Sequence, residues 1–574
     1  MKCYSIHVLQ KYKIAACNKK QKSTVSLLDL YMRLIAISIL LLILSGCTNS
    51  HSNKSEKTVF RYNEASGVTS LDPAFASNQA NIWACNQLFN GLVSLNDGLI
   101  PQPCIAKSWT ISPDGKTYSF ILRDDVYFHS GAKFLKSRKV NASDFVYSFN
   151  RIIDPKVASP GSWIFNFIEQ DTIKNLLNIQ ALNDTTLSIQ LKESFPPFLG
   201  LLSSTYCSVV PHEAIEYYGK DFRKNPIGTG PFKFFKWFER SALVFHKNEN
   251  YFEKDENGIR LPYLDAVMIS FIPDKQSAFM EFLKGKIDLI SGLDASYKDD
   301  LLNKNGSIKS KYKDKFKVLT SSYLNTEYLG FAIDLNQEDA KNPLNDLRIR
   351  KAINYAFDRG KMIRYLRNNM ASPGSAGFVP IGSPGFNTAS DYGYNFNPEK
   401  AKALLKEAGY PNGEGLPTIT MSTTNSYQDL CEFIQGQLAE IGIKVKVEVN
   451  QAAQHRQMVS KHQLSWFRGS WIADYSDPEN YLSLFYSKNK SPNGPNYTHF
   501  ENAFFDTEYE AAMRIQNDSL RTIKYHHLDS IVMSEAPVVV LYYDKVLRLH
   551  QNNIDGLGIN GMNLLTLKNV RKKN

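Results

Sequence analysis

The stretch QDLCEFIQGQLAEIGIKVKVEVN, residues 428–450, joins an amphipathic helix pattern directly to a strand pattern. In its first half the apolar residues recur at helical spacing, at Leu430, Phe433, Ile434 and Leu438. After Gly442 the period changes to two, at Ile443, Val445, Val447 and Val449. A helix followed at once by a strand is typical of α/β folds, so we expect this part of the chain to form an α/β unit.

Two further segments predict capped helices. In DLRIRKAINYAFDRG, residues 346–360, Asp346 is suited to the N-cap position and Gly360 to the helix end. In NPEKAKALLKEAGYPNG, residues 397–413, Asn397 is the predicted cap, Pro398 takes the first helical position and Gly409 ends the helix. The helix signals are therefore spread along the second half of the chain, which favours an α/β architecture.

A strand pair is predicted in TYSFILRDDVYFHSG, residues 117–131. Tyr118, Phe120 and Leu122 alternate and would share one face of the first strand. The preceding SPDG segment, residues 112–115, predicts a turn. With 574 residues, 43% of them hydrophobic and 21% charged, the chain is long enough for two or more globular lobes.

The amino terminus predicts export and lipid anchoring. Basic residues precede the apolar run LIAISILLLIL at 34–44, which is short for a membrane span and suits the core of a signal peptide. The run ends in LSGC at Cys47, which resembles the bacterial lipobox, and a polar tether follows up to residue 58. We therefore expect a signal peptide at 1–46 and a lipidated Cys47 with its tether at 47–58. The alternative is a signal-anchor helix.

A companion expectation concerns the start of translation, because Met32 followed by Arg33 would begin a signal of ordinary length. The sequence therefore predicts translation from Met32. The expected location is the bacterial cell envelope, with the protein anchored to a membrane and facing the periplasm or the exterior.

The charge distribution argues against a nucleic-acid partner. The first 46 residues hold six lysines and one arginine against one aspartate, so their removal lowers the formal net charge from +11 to +5. No run of basic residues in the mature part suggests a nucleic-acid partner.

Cysteine usage and motif spacing point away from metal binding and catalysis. Four cysteines remain after processing, Cys85, Cys104, Cys207 and Cys431, and their spacing fits no metal motif, which leaves buried thiols or one disulfide. The DGKT segment lacks the first glycine of a phosphate loop, HEAIE lacks the second histidine of a zinc helix, and no G-x-S-x-G elbow occurs. We expect no cofactor, no metal, no catalytic residue and no enzymatic activity.

Several separated segments together resemble one family. They occur at residues 69–93, 105–131, 141–155 (NASDFVYSFNRIIDP), 225–234 (NPIGTGPFKF), 346–359, 397–410 and 471–478 (WIADYSDP). In this order they are similar to the solute-binding proteins of peptide ABC transporters, the peptide- and nickel-binding extracellular family, and most similar to its oligopeptide-binding members. The resemblance covers about residues 60–545.

The resemblance implies a two-lobed α/β fold of the periplasmic binding protein type, with a hinge and an extra subdomain. It places lobe I at 59–89, 222–318 and 539–574, the inserted subdomain at 90–221 and lobe II at 319–538. It also implies a monomer that binds a peptide between the lobes and delivers it to the permease subunits of an ABC transporter.

The stretch WFRGSWIADYSDPENYL, residues 466–482, carries the ligand-binding residues that the resemblance implies. Asp474 matches the partner of the ligand ammonium, Arg468 matches an arginine that reaches the carboxylate of a longer ligand, and Trp471 matches a ring of a side-chain pocket. Each has a structural alternative: a turn cap for Asp474, an inter-lobe ion pair for Arg468 and simple core packing for Trp471. Ser77 and Gln79 match a segment that offers mainly backbone atoms to the peptide.

The chain also departs from its family. The segment ITMSTTNSYQD, residues 419–429, lacks the arginine of dipeptide-binding relatives, and Ser426 stands near the position of a histidine in oligopeptide-binding relatives. Gly161 replaces a tyrosine, and Trp163 two residues on is the candidate substitute. The same fold also binds nickel chelates, haem and oligosaccharides, and an envelope hydrolase or a peptide-sensing receptor is a further alternative.

Overall fold

A computed structural model describes residues 57–130, 137–333, 342–387 and 389–573. The expected signal peptide, Cys47 and most of the tether lie outside these residues. Within the described ranges, no helix combines the length and the apolar character needed to cross a bilayer.

The described helices are distributed along the whole chain. They are α1 (Gln79–Leu88), α2 (Ala142–Ile153), α3 (Phe198–Leu201), α4 (His212–Tyr218), α5 (Lys275–Leu283), α6 (Ala295–Leu301), α7 (Leu347–Tyr355), α8 (Arg359–Leu366), α9 (Pro398–Glu407), α10 (Gln428–Ala439), α11 (Ala452–Ser460), α12 (Glu479–Leu482), α13 (Ala503–Ala512) and α14 (Asp518–Glu535).

The strands alternate with these helices. They are β1 (Val59–Asn63), β2 (Val93–Leu95), β3 (Pro101–Pro103), β4 (Ala106–Ile111), β5 (Thr117–Leu122), β6 (Gln170–Asp171), β7 (Leu176–Leu177), β8 (Ile179–Asn183), β9 (Thr186–Gln190), β10 (Phe232–Phe238), β11 (Ala242–Lys247), β12 (Ala266–Ser270), β13 (Leu289–Ser291), β14 (Lys317–Phe331), β15 (Ala371–Pro373), β16 (Ile419–Thr424), β17 (Val445–Asn450), β18 (Trp466–Ile472), β19 (Val538–His550), β20 (Ile554–Asp555) and β21 (Arg571–Lys572).

The predicted helix caps at Asp346 and Asn397 are confirmed, since both side chains accept a hydrogen bond from the first turn of their helix. The prediction that Gly360 ends the first of these helices is wrong. Helix α7 ends at Tyr355, and the side chain of Asp358 accepts from the backbone N–H of Lys361 and so begins a new helix, α8, which contains Gly360.

The predicted partner of β5 is also corrected. Tyr118, Phe120 and Leu122 are buried on one face, as expected. Strand β5 pairs with β4 across the turn at 112–116 and with β9, whereas the segment after it contributes only an isolated bridge at Tyr127. The turn was therefore recognised, but it joins β5 to the preceding strand.

One mixed sheet of eleven strands organises the molecule, in the order β10-β11-β12-β1-β13-β19-β14-β18-β16-β17, with β15 paired to β19. The two long strands β14 and β19 are antiparallel and belong to both halves of the sheet. Residues Lys317–Ser322 of β14 pair with Lys545–His550 of β19, and this half of the strand pair lies beside β13, which pairs with β19. Residues Thr326–Gly330 of β14 pair with the other half of β19, and β18 lies on their other side. These two strands therefore connect the two halves.

A separate four-stranded antiparallel sheet, β4-β5-β9-β8, lies in the segment between β1 and β10. It packs with α2 into one large core that also includes α1 and the inward face of β10–β12. Cys85, Cys104, Cys207 and Cys431 are free and buried, so the disulfide alternative is wrong for these four residues.

Candidate ligand-binding cavity

A cavity of about 770 Å3 lies between two stretches that are distant in sequence. Residues 163–195 form one wall, and residues 471–514, from the end of β18 to α13, form the other. Its volume is in the range of roughly 300–1,000 Å3 that small-molecule sites occupy. Among the residues predicted from sequence, Trp163, Trp471 and Asp474 line it.

Asp474 follows β18 in the turn that leads to α12. Its carboxylate is open to the cavity, yet protein surrounds it on most other sides, and this burial raises the pKa of Asp474 to about 6, although a hydrogen bond from the Asn480 side chain opposes the rise. It has no ion-pair partner within the described part of the chain. A carboxylate that faces a cavity without a cationic partner is suited to receive a cation from a ligand.

Asn480 holds this part of the wall together. Its side-chain oxygen accepts a hydrogen bond from the indole N–H of Trp471 at 2.8 Å and one from the backbone N–H of Asp474 at 3.2 Å. Asn480 is buried in the short helix α12. Asn480 lies within residues 466–482, but no sequence pattern marked it as a site residue.

Trp163 brings the other wall against the first. It lies in a 3-10 turn at Ser162–Phe167, and its ring centroid is 6.4 Å from that of Tyr475 in a tilted arrangement. Trp163, Trp471 and Tyr475 therefore give the cavity aromatic surfaces on both sides, which suit apolar ligand groups.

A second carboxylate in the cavity wall was missed. Glu479 is 3% exposed and accepts hydrogen bonds from the hydroxyls of Tyr475 and Tyr509. Burial raises the pKa of Glu479 to about 7, although the two tyrosine hydroxyls oppose the rise. The sequence signal was a glutamate directly after Asp-Pro, which is also an ordinary helix start.

Arg468 lies outside this cavity. Residues three apart on a strand point to opposite faces, so Arg468 and Trp471 of β18 face away from each other. The guanidinium pairs with Glu327 of the neighbouring strand β14 and lies 3.3 Å from the ring centroid of Tyr427. The ion pair expected as an alternative is therefore present, but it joins two adjacent strands of one sheet.

Ser77 and Gln79 are exposed, and neither lines the large cavity. Their loop is held at its base by an ion pair between Asp72 and Arg151 at 2.5 Å and by a hydrogen bond from Ser159 to the carbonyl of Ala74. Gln79 instead lines a second, smaller cavity.

The departure at Gly161 has a structural reason. A Cβ atom at this position would meet the ring of Tyr206 at 2.3 Å, so the ring of Tyr206 occupies the space that a side chain would need. Burial raises the pKa of Tyr206 to about 12, and the nearby charge of Asp474 contributes to the rise. Tyr206 thus stands near Asp474, but it does not line the cavity.

Within the described residues, no group of His, Cys, Asp and Glu is arranged to hold a metal ion. An aromatic cavity with an unpaired carboxylate, enclosed between two parts of an α/β fold, is the site of a protein that binds a small solute.

Comparison with known proteins identifies the class. The model of the family "Bacterial extracellular solute-binding proteins, family 5 Middle" matches residues 101–493. The chain belongs to this family and is a solute-binding protein of ABC transporters rather than an enzyme. The expected family is confirmed.

Individual relatives cover most of the chain. Heme-binding protein A of Haemophilus influenzae is 30% identical over 522 residues, which are 86% of this chain and 91% of that protein. Glutathione-binding protein GsiB of Salmonella typhi is 26% identical, and the alignment covers 86% of this chain and 90% of that protein.

A solved structure confirms the two-lobed periplasmic binding protein fold. The periplasmic binding protein DppA of Helicobacter pylori, in complex with the peptide STSA, superimposes on this chain with a TM-score of 0.72 at 27% sequence identity. The superposition covers 90% of this chain and 98% of the DppA chain.

Proposed function

We propose that this protein captures peptides by their free amino group in the cavity around Asp474 and delivers them to the permease of an ABC transporter. The observation that carries the proposal is the carboxylate of Asp474. It faces the cavity, it lacks a cationic partner in the described residues, and burial raises its pKa. A ligand ammonium would supply the missing charge.

Aromatic surfaces support the same ligand class. Trp163 and Trp471 can receive the first side chain of a peptide without selecting one sequence. A receptor for oligopeptides must also hold the backbone, and the exposed loop at Ser77 and Gln79 is the candidate for that contact. Arg468 remains the candidate for the carboxylate of a longer peptide, which it can reach only by leaving Glu327.

The relatives agree with this ligand. The Helicobacter pylori protein was solved with the peptide STSA, and the Salmonella typhi protein is named for glutathione. We extend peptide binding to this chain because both relatives cover most of its length.

Closure of the two lobes would enclose the ligand. We propose the boundaries 59–89, 222–318 and 539–574 for lobe I, 90–221 for its insert and 319–538 for lobe II. Strands β14 and β19 cross between the two halves of the sheet, so they are the proposed hinge. Small-angle X-ray scattering should give a smaller radius of gyration with a bound peptide.

Lipid anchoring to a membrane is part of the proposed function. A lipid on Cys47 would hold the protein at a bacterial membrane as a monomer, and residues 48–58 would act as the tether.

Haem is a second candidate ligand, because Heme-binding protein A is 30% identical over most of the chain. Methionine is one of the residue types that bind haem iron as an axial ligand, and Met513 lines the cavity. Titration with haem followed by visible absorption tests this candidate, since axial ligation by the protein changes the haem spectrum.

Calorimetry with matched peptides tests the peptide proposal. We expect a tripeptide with a free amino group to bind the purified protein and its N-acetylated form to bind far more weakly. Asp474→Ala removes one partner of a buried charge pair, a loss of roughly 3–5 kcal/mol, or on the order of a hundredfold to a few thousandfold in affinity.

The two changes should not add, because acetylation and Asp474→Ala remove the same pair. Glu193→Gln is the matched control, since Glu193 is an exposed carboxylate in the same cavity. Equal binding of free and acetylated peptides by the wild-type protein would exclude Asp474 as the ammonium site.

A further inference from the structure

A second cavity, of about 320 Å3, lies at the carboxyl ends of two parallel strands. Strands β1 and β13 pair in parallel at Tyr62 and Leu289, and the residues that follow them, including Glu64 and Gly292, line the cavity. In open α/β sheets, ligands bind beyond the carboxyl ends of the strands. None of its lining residues is shared with the larger cavity.

Two polar groups in this cavity lack a partner within the described residues. The hydroxyl of Tyr62 makes no hydrogen bond although the side chain is only 1% exposed. The carboxylate of Glu64 forms neither a hydrogen bond nor an ion pair with any described residue, and burial raises the pKa of Glu64 to about 7. Buried polar groups in folded proteins are normally paired, so the unpaired hydroxyl of Tyr62 is available to a ligand, and the half-buried carboxylate of Glu64 lies in the same cavity.

Of the charged side chains that line the cavity, only Glu64 lacks an ionic partner in the described part of the chain. Lys275 and Asp294 line the cavity and neutralise each other at 2.8 Å. The guanidinium of Arg548 lies 5.5 Å from the ring centroid of Trp83, but it donates to the carbonyls of Gly558, Asn563 and Leu564. These carbonyls do not neutralise the charge of Arg548, so a ligand cation would be attracted to the carboxylate of Glu64 rather than to the Trp83 side of the cavity.

The ring of Trp83 limits the shape of that cation. It packs edge-on against Tyr62 with centroids 5.9 Å apart, and its indole N–H donates to the carbonyl of Asn563 at 2.8 Å, so the ring is held in place. An alkyl chain can lie along this apolar surface while its charged end reaches Glu64.

We propose that this cavity is a second binding site, selective for a primary ammonium group on a short aliphatic chain. The carboxylate of Glu64 is the counter-ion, and the hydroxyl oxygen of Tyr62 is a further acceptor for the ammonium protons. The volume of about 320 Å3 suits a small amine or one basic side chain rather than a whole peptide.

Titration with n-butylammonium chloride, followed by calorimetry on the purified protein, tests this site, and 1-butanol serves as the uncharged probe of the same size. We expect saturable binding of the amine and binding of the alcohol that is weaker by about tenfold or more. Glu64→Gln should weaken the amine by on the order of tenfold to a hundredfold, because a hydrogen bond to a charged group is lost, and Tyr62→Phe should weaken it less.

The variant Asp474→Asn shows which of the two cavities binds the amine. Because the amine can also bind the carboxylate of Asp474, we expect this variant to retain saturable amine binding that Glu64→Gln weakens in the same background, whereas loss of all saturable amine binding in Asp474→Asn would assign the probe to the larger cavity and overturn the proposal. Equal affinity of the wild-type protein and Glu64→Gln, or the absence of saturable amine binding by the wild-type protein, would also overturn it. Circular dichroism of each variant separates misfolding from lost binding.

Discussion

The indole N–H of Trp471 donates a hydrogen bond to the side-chain oxygen of Asn480 at 2.8 Å. The same oxygen accepts the backbone N–H of Asp474 at 3.2 Å. One buried amide thus fixes both the ring and the carboxylate that the proposed ligand would touch. Positioning of this kind reduces the entropy that binding must otherwise remove.

Asn480→Ala should therefore lower the affinity for peptides by about tenfold or more, because its hydrogen bonds with Trp471 and Asp474, roughly 0.5–1.5 kcal/mol each, are lost. Calorimetry with a tripeptide measures the effect. Asn493→Ala is the matched control, since Asn493 lines the same cavity but is exposed. The same affinity in Asn480→Ala and in the wild-type protein would contradict the positioning role.

Peptide affinity should depend on pH through Asp474. Burial raises the pKa of Asp474 to about 6 in the unliganded protein, and only the ionised carboxylate attracts an ammonium group. Affinity should therefore be highest near pH 7, should fall by about tenfold for each pH unit below 6, and should fall again above about pH 8, where the peptide's α-amino group loses its proton. Glu479 titrates in the same wall, so Asp474→Asn is needed as the comparison. A pH profile of the same steepness in that variant would assign the titration to another group.

Arg468→Ala should destabilise the protein strongly, because it leaves Glu327, which is 3% exposed, as a buried charge without its partner. Removal of one member of a buried pair costs roughly 3–5 kcal/mol. The double variant Arg468→Met with Glu327→Gln should recover much of this loss, since no unpaired charge remains. Thermal unfolding measures both, and equal midpoints for the single and double variants would contradict the coupling.

The same substitution also tests ligand length. If Arg468 can leave Glu327 to bind a carboxylate, Arg468→Ala should weaken one length class of peptides by about tenfold and leave the others nearly unchanged. Calorimetry across di- to pentapeptides distinguishes this result from a uniform loss, which would assign Arg468 to stability alone.

Glu479 should make the protein less stable as the pH rises. Burial raises the pKa of Glu479 from its usual value of 4.5 to about 7, so the folded state binds more protons than the unfolded state between these values. The contribution of Glu479 to stability is therefore fully present below about pH 4.5 and is lost as the pH rises through 7. Glu479→Gln removes this ionisation, so the fall in the thermal unfolding midpoint between pH 5.5 and 8 should be smaller in the variant.

The contribution of Glu479 across this range should be about 2 kcal/mol. Glu193→Gln is the control, because that carboxylate is exposed in the same cavity. An unchanged pH dependence in Glu479→Gln would show that Glu479 does not titrate in this range.

Cys47→Ser tests the proposed anchor. Because the apolar run at 34–44 ends in the lipobox-like LSGC, the substitution should abolish labelling with a radioactive fatty acid and release the protein into the soluble envelope fraction. Labelling that persists in the variant would exclude Cys47 as the lipidated residue.

Local structure was predicted well where the signal lies within a few residues. The caps at Asp346 and Asn397 and the helix at 428–439 followed from side chains that act on their own first turn or share one helix face. The error at Gly360 has the same origin, because Asp358 begins a new helix two residues earlier and a glycine is tolerated inside it. Strand partners were less predictable, as β5 shows, because pairing depends on which segment packs beside it.

The candidate site was also predicted only in part. Sequence resemblance selected Trp163, Trp471 and Asp474, and the tertiary structure brings these three to one cavity. The resemblance also selected Arg468, but the alternation of β18 turns it to the opposite face and pairs it with Glu327, 141 residues away. Neither the partner nor its direction could be read from the stretch at 466–482.

The sequence by itself determined the family, the α/β class and the local helices, because these depend on motifs and on periodicity over one element. Only the tertiary structure decided which carboxylates lack a cationic partner. Asp474 and Glu64 are unpaired in the described residues, whereas Glu327 is paired, and all three are acidic residues at the end of a strand or within one. The physical reason is that pairing depends on strand register and packing between distant segments, which no local pattern encodes.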